Sequence, residues 1–327
     1  MIRAYYSKDY NFTFDTETGY FERWGKTKEE DPQVSEFGPE ILDIEVSEMC
    51  HEGCKFCYKS NKVSGDNMSL ETFKTVLDKM PKTLTQVAFG IGSIDTNPDL
   101  FEMMRYCQSK NIVPNVTING SRMTDLYFMQ LNNLCGAVAV SNYNKDNCYG
   151  AVKKLTDLGL VQVNIHQLLS KETIPQIWEL LNDEELDNRL SRLNAIVFLS
   201  VKQKGRGVGY HRASDEDYKK IVDYCIRNNV RFGFDSCGAQ KFLNAISQEN
   251  VERFHQFVEP CESTLFSSYI NVEGKFFPCS FAENDREEGL DVVNCEDFVK
   301  DIWMNPKTIA WRENLLNNGR NCPMYEI

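Results

Sequence analysis

Cys50-His51-Glu52-Gly53-Cys54-Lys55-Phe56-Cys57-Tyr58 follows directly on the alternating run Leu42-Asp43-Ile44-Glu45-Val46-Ser47. Alternation at period two reads as a β-strand, so three cysteines at x3 and x2 spacing occupy the loop that leaves a strand. Thiolates this close together can hold three corners of an iron–sulfur cube and leave the fourth iron without a protein ligand. An open metal position is where chemistry is done. The competing reading is a structural zinc knot with His51 completing a Cys3His set, but His51 adjoins Cys50 and lacks the paired spacing of zinc ligands.

The pattern C-x3-C-x-F-C-Y, with Phe56 before the third cysteine and Tyr58 after it, resembles the signature of the radical S-adenosylmethionine (SAM) enzymes. That resemblance implies a [4Fe-4S] cluster on Cys50, Cys54 and Cys57 whose open iron chelates SAM, with Phe56 and Tyr58 beside the cofactor. It further implies one-electron cleavage of SAM to methionine and a 5′-deoxyadenosyl radical, which abstracts hydrogen from a substrate. A flavodoxin- or ferredoxin-type donor would supply the electron.

Composition narrows the setting. A chain of 327 residues with 42% hydrophobic residues suits one large domain and a smaller appendage. No run of about 18 apolar residues and no basic start leading into an apolar segment is present, which argues against a membrane span or secretory signal and for a cytoplasmic protein. Twelve cysteines then read as metal ligands and reduced core thiols. A net charge of −12 counts against nucleic acid, which usually leaves a basic footprint. The local cluster Lys202-Gln203-Lys204-Gly205-Arg206, followed by His211-Arg212, is either a phosphate pocket or an exposed turn.

Residues 1–40 form an N-terminal extension. Asn11-Phe12-Thr13-Phe14-Asp15 and Tyr20-Phe21-Glu22-Arg23-Trp24 alternate around a turn containing Gly19 and predict a β-hairpin, followed by a charged linker over 26–33. The extension is too short for the winged-helix peptide-recognition domain that many peptide-modifying relatives carry, and capping the main domain is its expected role. From 41 to 235 strands alternate with helices, the mark of a mainly parallel α/β architecture. Strands are expected at 41–46, 84–89, 114–118, 137–141, 161–167, 195–201 and 231–234. Ser69 is positioned to cap a helix that buries Phe73, Val76, Leu77 and Met80. The series resembles the partial (β/α)6 TIM-like barrel of the radical SAM family, whose loops after the strand C-termini form the working face.

Those strand ends supply the other candidates. Phe89-Gly90-Ile91-Gly92-Ser93-Ile94-Asp95 stands where the family usually has Gly-Gly-Glu against the SAM methionyl group; Gly90 and Gly92 keep a permissive backbone, while the glutamate is replaced near Ser93 and Asp95. Thr117-Ile118-Asn119-Gly120 is similar to the family's Thr-Asn-Gly segment, although turn chemistry explains Asn119-Gly120 equally well. Ser141 and Asn142 offer hydrogen bonds to the SAM ribose or carboxylate. Lys202 and Arg206 are placed to grip a SAM carboxylate or a substrate anion. On the fifth strand of this series, His166 reads as a satisfied buried histidine rather than a lumen group.

The last segment, 236–327, changes character. Cys261, a hairpin turn at Gly274, then Cys279 give C-x12-G-x4-C, and Cys322 follows late. This resembles the auxiliary-cluster extension called twitch, a shortened relative of the SPASM domain, and implies a small hairpin-plus-helix domain with a second [4Fe-4S] cluster. Cys237 is the candidate fourth ligand. A fully Cys-ligated cluster carries electrons; without Cys237 its open iron would face substrate. Cys107, Cys135, Cys225 and Cys295 read as core thiols. Cys148 has helical phase with Ala151, Val152 and Leu155, which favours the core, yet its loop lies on the working face, where resemblance to peptide epimerases implies a thiol that donates hydrogen to a substrate radical.

Two classes remain, a radical SAM enzyme and a non-catalytic iron–sulfur carrier, and the barrel-like series favours the enzyme. The leading reaction is crosslinking, epimerisation or oxidation of a peptide or protein residue. Dehydrogenation or rearrangement of a small molecule comes next, and RNA modification last.

Overall fold

The computed structural model describes residues 1–255, 257–283 and 288–327. Seven strands run parallel in chain order: β4 (Ile41–Glu45), β5 (Gln86–Gly90), β6 (Val113–Ile118), β7 (Ala137–Ser141), β8 (Gln162–Leu169), β9 (Ala195–Ser200) and β10 (Phe232–Phe234). The first six are followed by α1 (Leu70–Lys79), α2 (Leu100–Ser109), α3 (Asp125–Leu134), α4 (Lys145–Asp157), α5 (Ile174–Leu186) and α6 (Asp215–Arg227). These are the expected β/α units, with ends shifted by a residue or two. The Ser69 side chain accepts from the Thr72 backbone amide and starts α1 as expected.

Alternation decides which face each strand gives to the helices. Leu42 and Ile44, Val87 and Phe89, Val116 and Ile118, Val138 and Val140, Val163 and Ile165, and Ile196 and Phe198 are buried in one core with helix residues such as Phe73, Met103, Val152 and Ile221. The opposite face carries no helix; Asp43, Asn115, Thr117, Asn164 and His166 lie on it. That face is the inner wall of an open barrel. Cys107, Cys135 and Cys225 fill the outer core, as expected.

The N-terminal extension is a three-stranded antiparallel sheet, not a lone hairpin: β1 (Ile2–Tyr5) joins the expected pair β2 (Asn11–Asp15) and β3 (Phe21–Trp24). It lies beneath the strand N-termini. Arg3 donates to the carbonyls of Asn111 and Lys82, just ahead of β6 and β5, and Gln162 at the foot of β8 bonds Thr18. Tyr10, Phe12 and Phe14 form a second core with Leu265, Phe266 and Leu315.

The C-terminal segment is less separate than its sequence suggests. β11 (Ser267–Ile270) pairs in parallel with β4, in register Ser267 to Ile41, and extends the barrel sheet; β12 (Lys275–Phe277) and β13 (Leu290–Asp291) continue it antiparallel. The β11–β12 turn places Gly274 at φ +78°, where a side chain would be strained and its Cβ would meet Val293. A π-helical stretch (Phe298–Trp303) leads to a long final helix, Pro306–Asn317. Cys295 precedes this stretch instead of sharing a helical face with it, and its thiol donates to the Val292 carbonyl at 3.2 Å. Among the described residues no helix is long and apolar enough to cross a membrane.

One buried ion pair joins the N-terminal extension to the C-terminal segment. Arg23 of β3 donates to Glu40 at 2.8 Å and to Glu259 at 3.0 Å, and stacks on Phe266. Burial lifts the Glu40 carboxyl to about 7 despite Arg23. Breaking such a pair from one side strands a buried charge. R23M should cost about 3 kcal/mol in urea unfolding, and R23M/E40Q should recover most of that loss; equal costs for the single and double variants would place the contribution in the packing of Arg23 on Phe266 instead.

Candidate functional site

The loop after β4 carries Cys50, Cys54 and Cys57, none fully buried, to the C-terminal ends of the strands. Burial, and then the neighbouring Cys50 and Cys57, push the Cys54 thiol up to about 11, so the three sulfurs sit within electrostatic reach of one another. The strand-end loops hold this loop by its backbone. Ser93 Oγ accepts from the His51 amide at 3.0 Å and lies 3.8 Å from Cys50 Sγ. A Cβ on Gly92 would come within 2.5 Å of Cys50 Cβ and 2.6 Å of the Met49 carbonyl, so glycine permits the close approach. Asn119 donates to the Gly92 carbonyl at 3.0 Å, and Ser121 to Glu52 at 2.5 Å.

Other sequence candidates take different places. Arg206 donates from Nε to the Cys54 carbonyl at 2.8 Å and from Nη1 to the Asn61 carbonyl at 2.9 Å; its guanidinium shapes the thiol loop instead of reaching for an anion. Lys202, almost fully buried, pairs with Asp235 and donates to Cys237. Phe56 packs against Tyr143 with ring centroids 4.9 Å apart and against Tyr210 at 5.7 Å. Tyr58 turns the other way, toward Phe281 at 4.3 Å, and hydrogen-bonds Ser280. Cys148 lies wholly within the core, its thiol 3.8 Å from the Val140 carbonyl and pushed up to about 12 by burial; a substrate on the working face would not reach it.

Two strand ends remain open to a ligand. Gly90 ends β5 exposed. Asn142, after β7, donates to Gln167 at 2.9 Å, while its buried Oδ1 has no partner. Beside it Tyr143 faces the thiol loop: burial pushes its phenol up to about 12, and Cys54, Cys57 and Cys50 add to that shift.

The second cysteine set also comes together. Burial raises Cys237, and Cys261 and Cys279 raise it further; Cys279 is pushed up to about 12, with Cys261 and Cys322 contributing. Backbone amides point at three of these sulfurs: Ser263 at Cys261, Phe281 and Ala282 at Cys279, and Tyr325 at Cys322, the last at 3.3 Å. Among the described residues no three His, Cys, Asp or Glu side chains converge closely enough to hold a single metal ion.

Sequence reasoning missed two features. Lys59, two residues past Cys57, pairs with Glu45 of β4 at 3.0 Å and with Glu283, and Tyr269 of β11 donates to both carboxylates. This cluster borders a cavity of about 420 Å³ that is also lined by Tyr58, Lys204 and Gly205. The other is the inner barrel wall itself. Asp43 is exposed to water and His166 partly so, both on the wall of the open lumen. Burial pushes Asp43 up to about 6 and His166 down to about 4, and the His166 ring has no hydrogen bond among the described residues, contrary to the satisfied histidine expected. The period-two pattern contained the signal, since Asp43 is polar in a strand whose neighbours Leu42 and Ile44 are buried.

An open parallel α/β barrel with three thiols at the mouth of a polar lumen defines the class of structure. No protein-family model matches the chain, and no curated protein matches it. Solved structures do. SuiB of Streptococcus suis bound to precursor peptide SuiA superimposes with a TM-score of 0.69 at 16% identity, over 84% of this chain and 67% of that one. SuiB bound to S-adenosylmethionine gives 0.67 at 15%, over 84% and 68%. Native anSMEcpe with bound AdoMet and Cp18Cys peptide gives 0.62 at 16%, over 83% and 82%. The chain has their fold, the partial barrel of the radical SAM enzymes.

Two outcomes follow from this geometry. G92A should lower the melting temperature while leaving the circular dichroism spectrum intact, because the added methyl pushes on Cys50 and on the Met49 carbonyl. A carboxyl raised from its ordinary value binds its proton more tightly when folded, so the stability it contributes is complete below about pH 4 and is lost as pH rises through about 6. D43N should therefore melt higher than wild type at pH 7 to 8, with the gap closing toward pH 5; a pH-independent gap would place Asp43 in ordinary solvent.

Proposed function

We propose that this protein is a radical SAM enzyme that modifies a residue of a peptide or protein, with Cys50, Cys54 and Cys57 as ligands of a [4Fe-4S] cluster. The observation that carries the reading is the set of three thiols in one loop at the C-terminal ends of the parallel strands, above the polar inner wall. When bound, cluster and SAM supply a one-electron route to a carbon-centred radical that abstracts hydrogen. The chain's own part is binding and placement. Asn142 Oδ1, buried without a partner, accepts a hydrogen bond from the ammonium or a ribose hydroxyl of SAM; Gly90, Gly92 and Ser93 bring bare backbone and a hydroxyl beside it. Asn119 and Ser141 complete the polar rim, and Phe56 and Tyr143 wall off one side.

Cys237, Cys261, Cys279 and Cys322 are proposed as ligands of a second [4Fe-4S] cluster. Amide donors aimed at the sulfurs favour thiolates and tune the potential of such a cluster, and Lys202 at Cys237 adds a cation. A cube whose four irons alternate with sulfides also suits sulfurs spread wider than one metal ion spans. Tyr58 then lies at the seam between the two sites, and a flavodoxin- or ferredoxin-type protein is the proposed electron source. The peptide reading draws support from the fold shared with SuiB bound to its precursor peptide and with anSMEcpe bound to a peptide.

Iron and sulfide analysis with Mössbauer spectroscopy on reconstituted protein tests this. Wild type should hold about eight irons and form 5′-deoxyadenosine under reduction; the C50A/C54A/C57A variant should keep about four and form none. About four irons falling to none would remove the auxiliary cluster. Intact, reduced clusters without SAM cleavage would leave an electron carrier.

A further inference from the structure

Three carboxylates stand on or beside the inner wall, and two of them have cations. Glu45 has Lys59, and Asp235 has Lys202. Asp43 lies on the same face of β4 as Glu45, flanked in register by Ala88 of β5 and Tyr269 of β11. Among the described residues it has neither an ion pair nor a hydrogen bond, although Leu42 and Ile44 on either side are fully packed. It is also the one of the three that water reaches freely.

Nothing else on that wall neutralises it. Asn115, Thr117 and Asn164 are uncharged, and His166, pushed down to about 4 by burial, is neutral at pH 7. Tyr58 is near enough for Asp43 to act on its phenol, which burial already keeps protonated. A lone carboxylate on a concave protein wall attracts a cation more strongly than one in open solvent. The other two carboxylates of this wall take their cations from the chain itself; the partner of Asp43 would come from outside.

We propose that Asp43 is the specificity-determining residue of the lumen, accepting the ammonium or guanidinium of a lysine or arginine in the peptide substrate. This rests on the reading of the lumen as the substrate chamber. A neutral side chain of equal length would leave the carboxylate unpaired, and a site built for one polar partner rejects the analogue lacking it. The cation would lie below the thiol loop, along the strand that leads to Cys50.

Equilibrium dialysis of reconstituted, SAM-loaded protein against blocked tripeptides glycyl-X-glycine, with X lysine, arginine, norleucine or glutamate, tests it. Wild type should bind the lysine or arginine probe more tightly than the norleucine probe by on the order of tenfold. D43N, its folding verified by thermal melt, should lose that preference. No preference in wild type, which includes no binding by any probe at millimolar concentration, overturns the inference, as does a preference that survives in D43N. Wild-type SAM cleavage measured on the same preparation keeps the two readings apart. Cleavage without cation preference sinks the role of Asp43 alone, whereas cation preference without cleavage sinks the radical chemistry alone.

Discussion

The ion cluster at Lys59 fixes the geometry on which the site depends. One ammonium lies between Glu45 of β4 and Glu283 beyond the C-terminal hairpin, with the Tyr269 hydroxyl bridging the carboxylates and Asn271 donating to the far oxygen of Glu283 at 3.0 Å. Desolvating two carboxylates and an ammonium is costly, and such groups stabilise a fold less than they specify one arrangement. Here the arrangement is a loop of three thiols joined to the segment that begins at Cys279. Lys204 extends the junction by donating to the carbonyls of Phe281 and Glu283, which ties the β9 end to the C-terminal segment beside the thiol loop.

The barrel was legible because parallel strands covered by helices on one face leave a strong local signature. Most outer positions are apolar, each following helix repeats its apolar residues at 3.6 spacing, and caps such as Ser69 mark the starts. Pairing between distant segments leaves no such trace. Nothing in Ser267-Ser268-Tyr269-Ile270 announces that it will lie against Ile41-Leu42-Asp43-Ile44, so a sheet extension reads as a detached domain. Ile2-Arg3-Ala4-Tyr5 was missed for a related reason: its side chains are half exposed, and β2 alone makes it a strand.

Residue types in the site were easier to find than their directions. Arg206 stands where a cation would meet an anion, yet its fork fits two backbone carbonyls of the thiol loop, a use that a linear sequence does not distinguish. Tyr58 follows the third cysteine as Phe56 precedes it, but neighbours in a loop diverge, and the two rings end on opposite partners. His166 illustrates the converse. A histidine among valines and isoleucines looks like a core residue until the strand's phase sends Ile165 to the helices and the imidazole to the lumen.

The two ends of the barrel are therefore unlike. At the strand N-termini, Arg3 and Gln162 anchor the three-stranded sheet, and the Arg23 network binds that sheet to the C-terminal segment. At the strand C-termini the loops carry thiols, an unpartnered amide oxygen and aromatic edges. The polarity of the inner wall rises from Phe56 and Tyr143 at the mouth to Asn164, His166 and Asp43 below. Under the proposed reading, aromatic edges above a water-filled lumen that ends at a carboxylate suit a long side chain carrying a cation, because such a chain lays its methylenes on the rings and extends its charge beyond them. The same order disfavours anionic substrates, in keeping with the chain's net charge of −12.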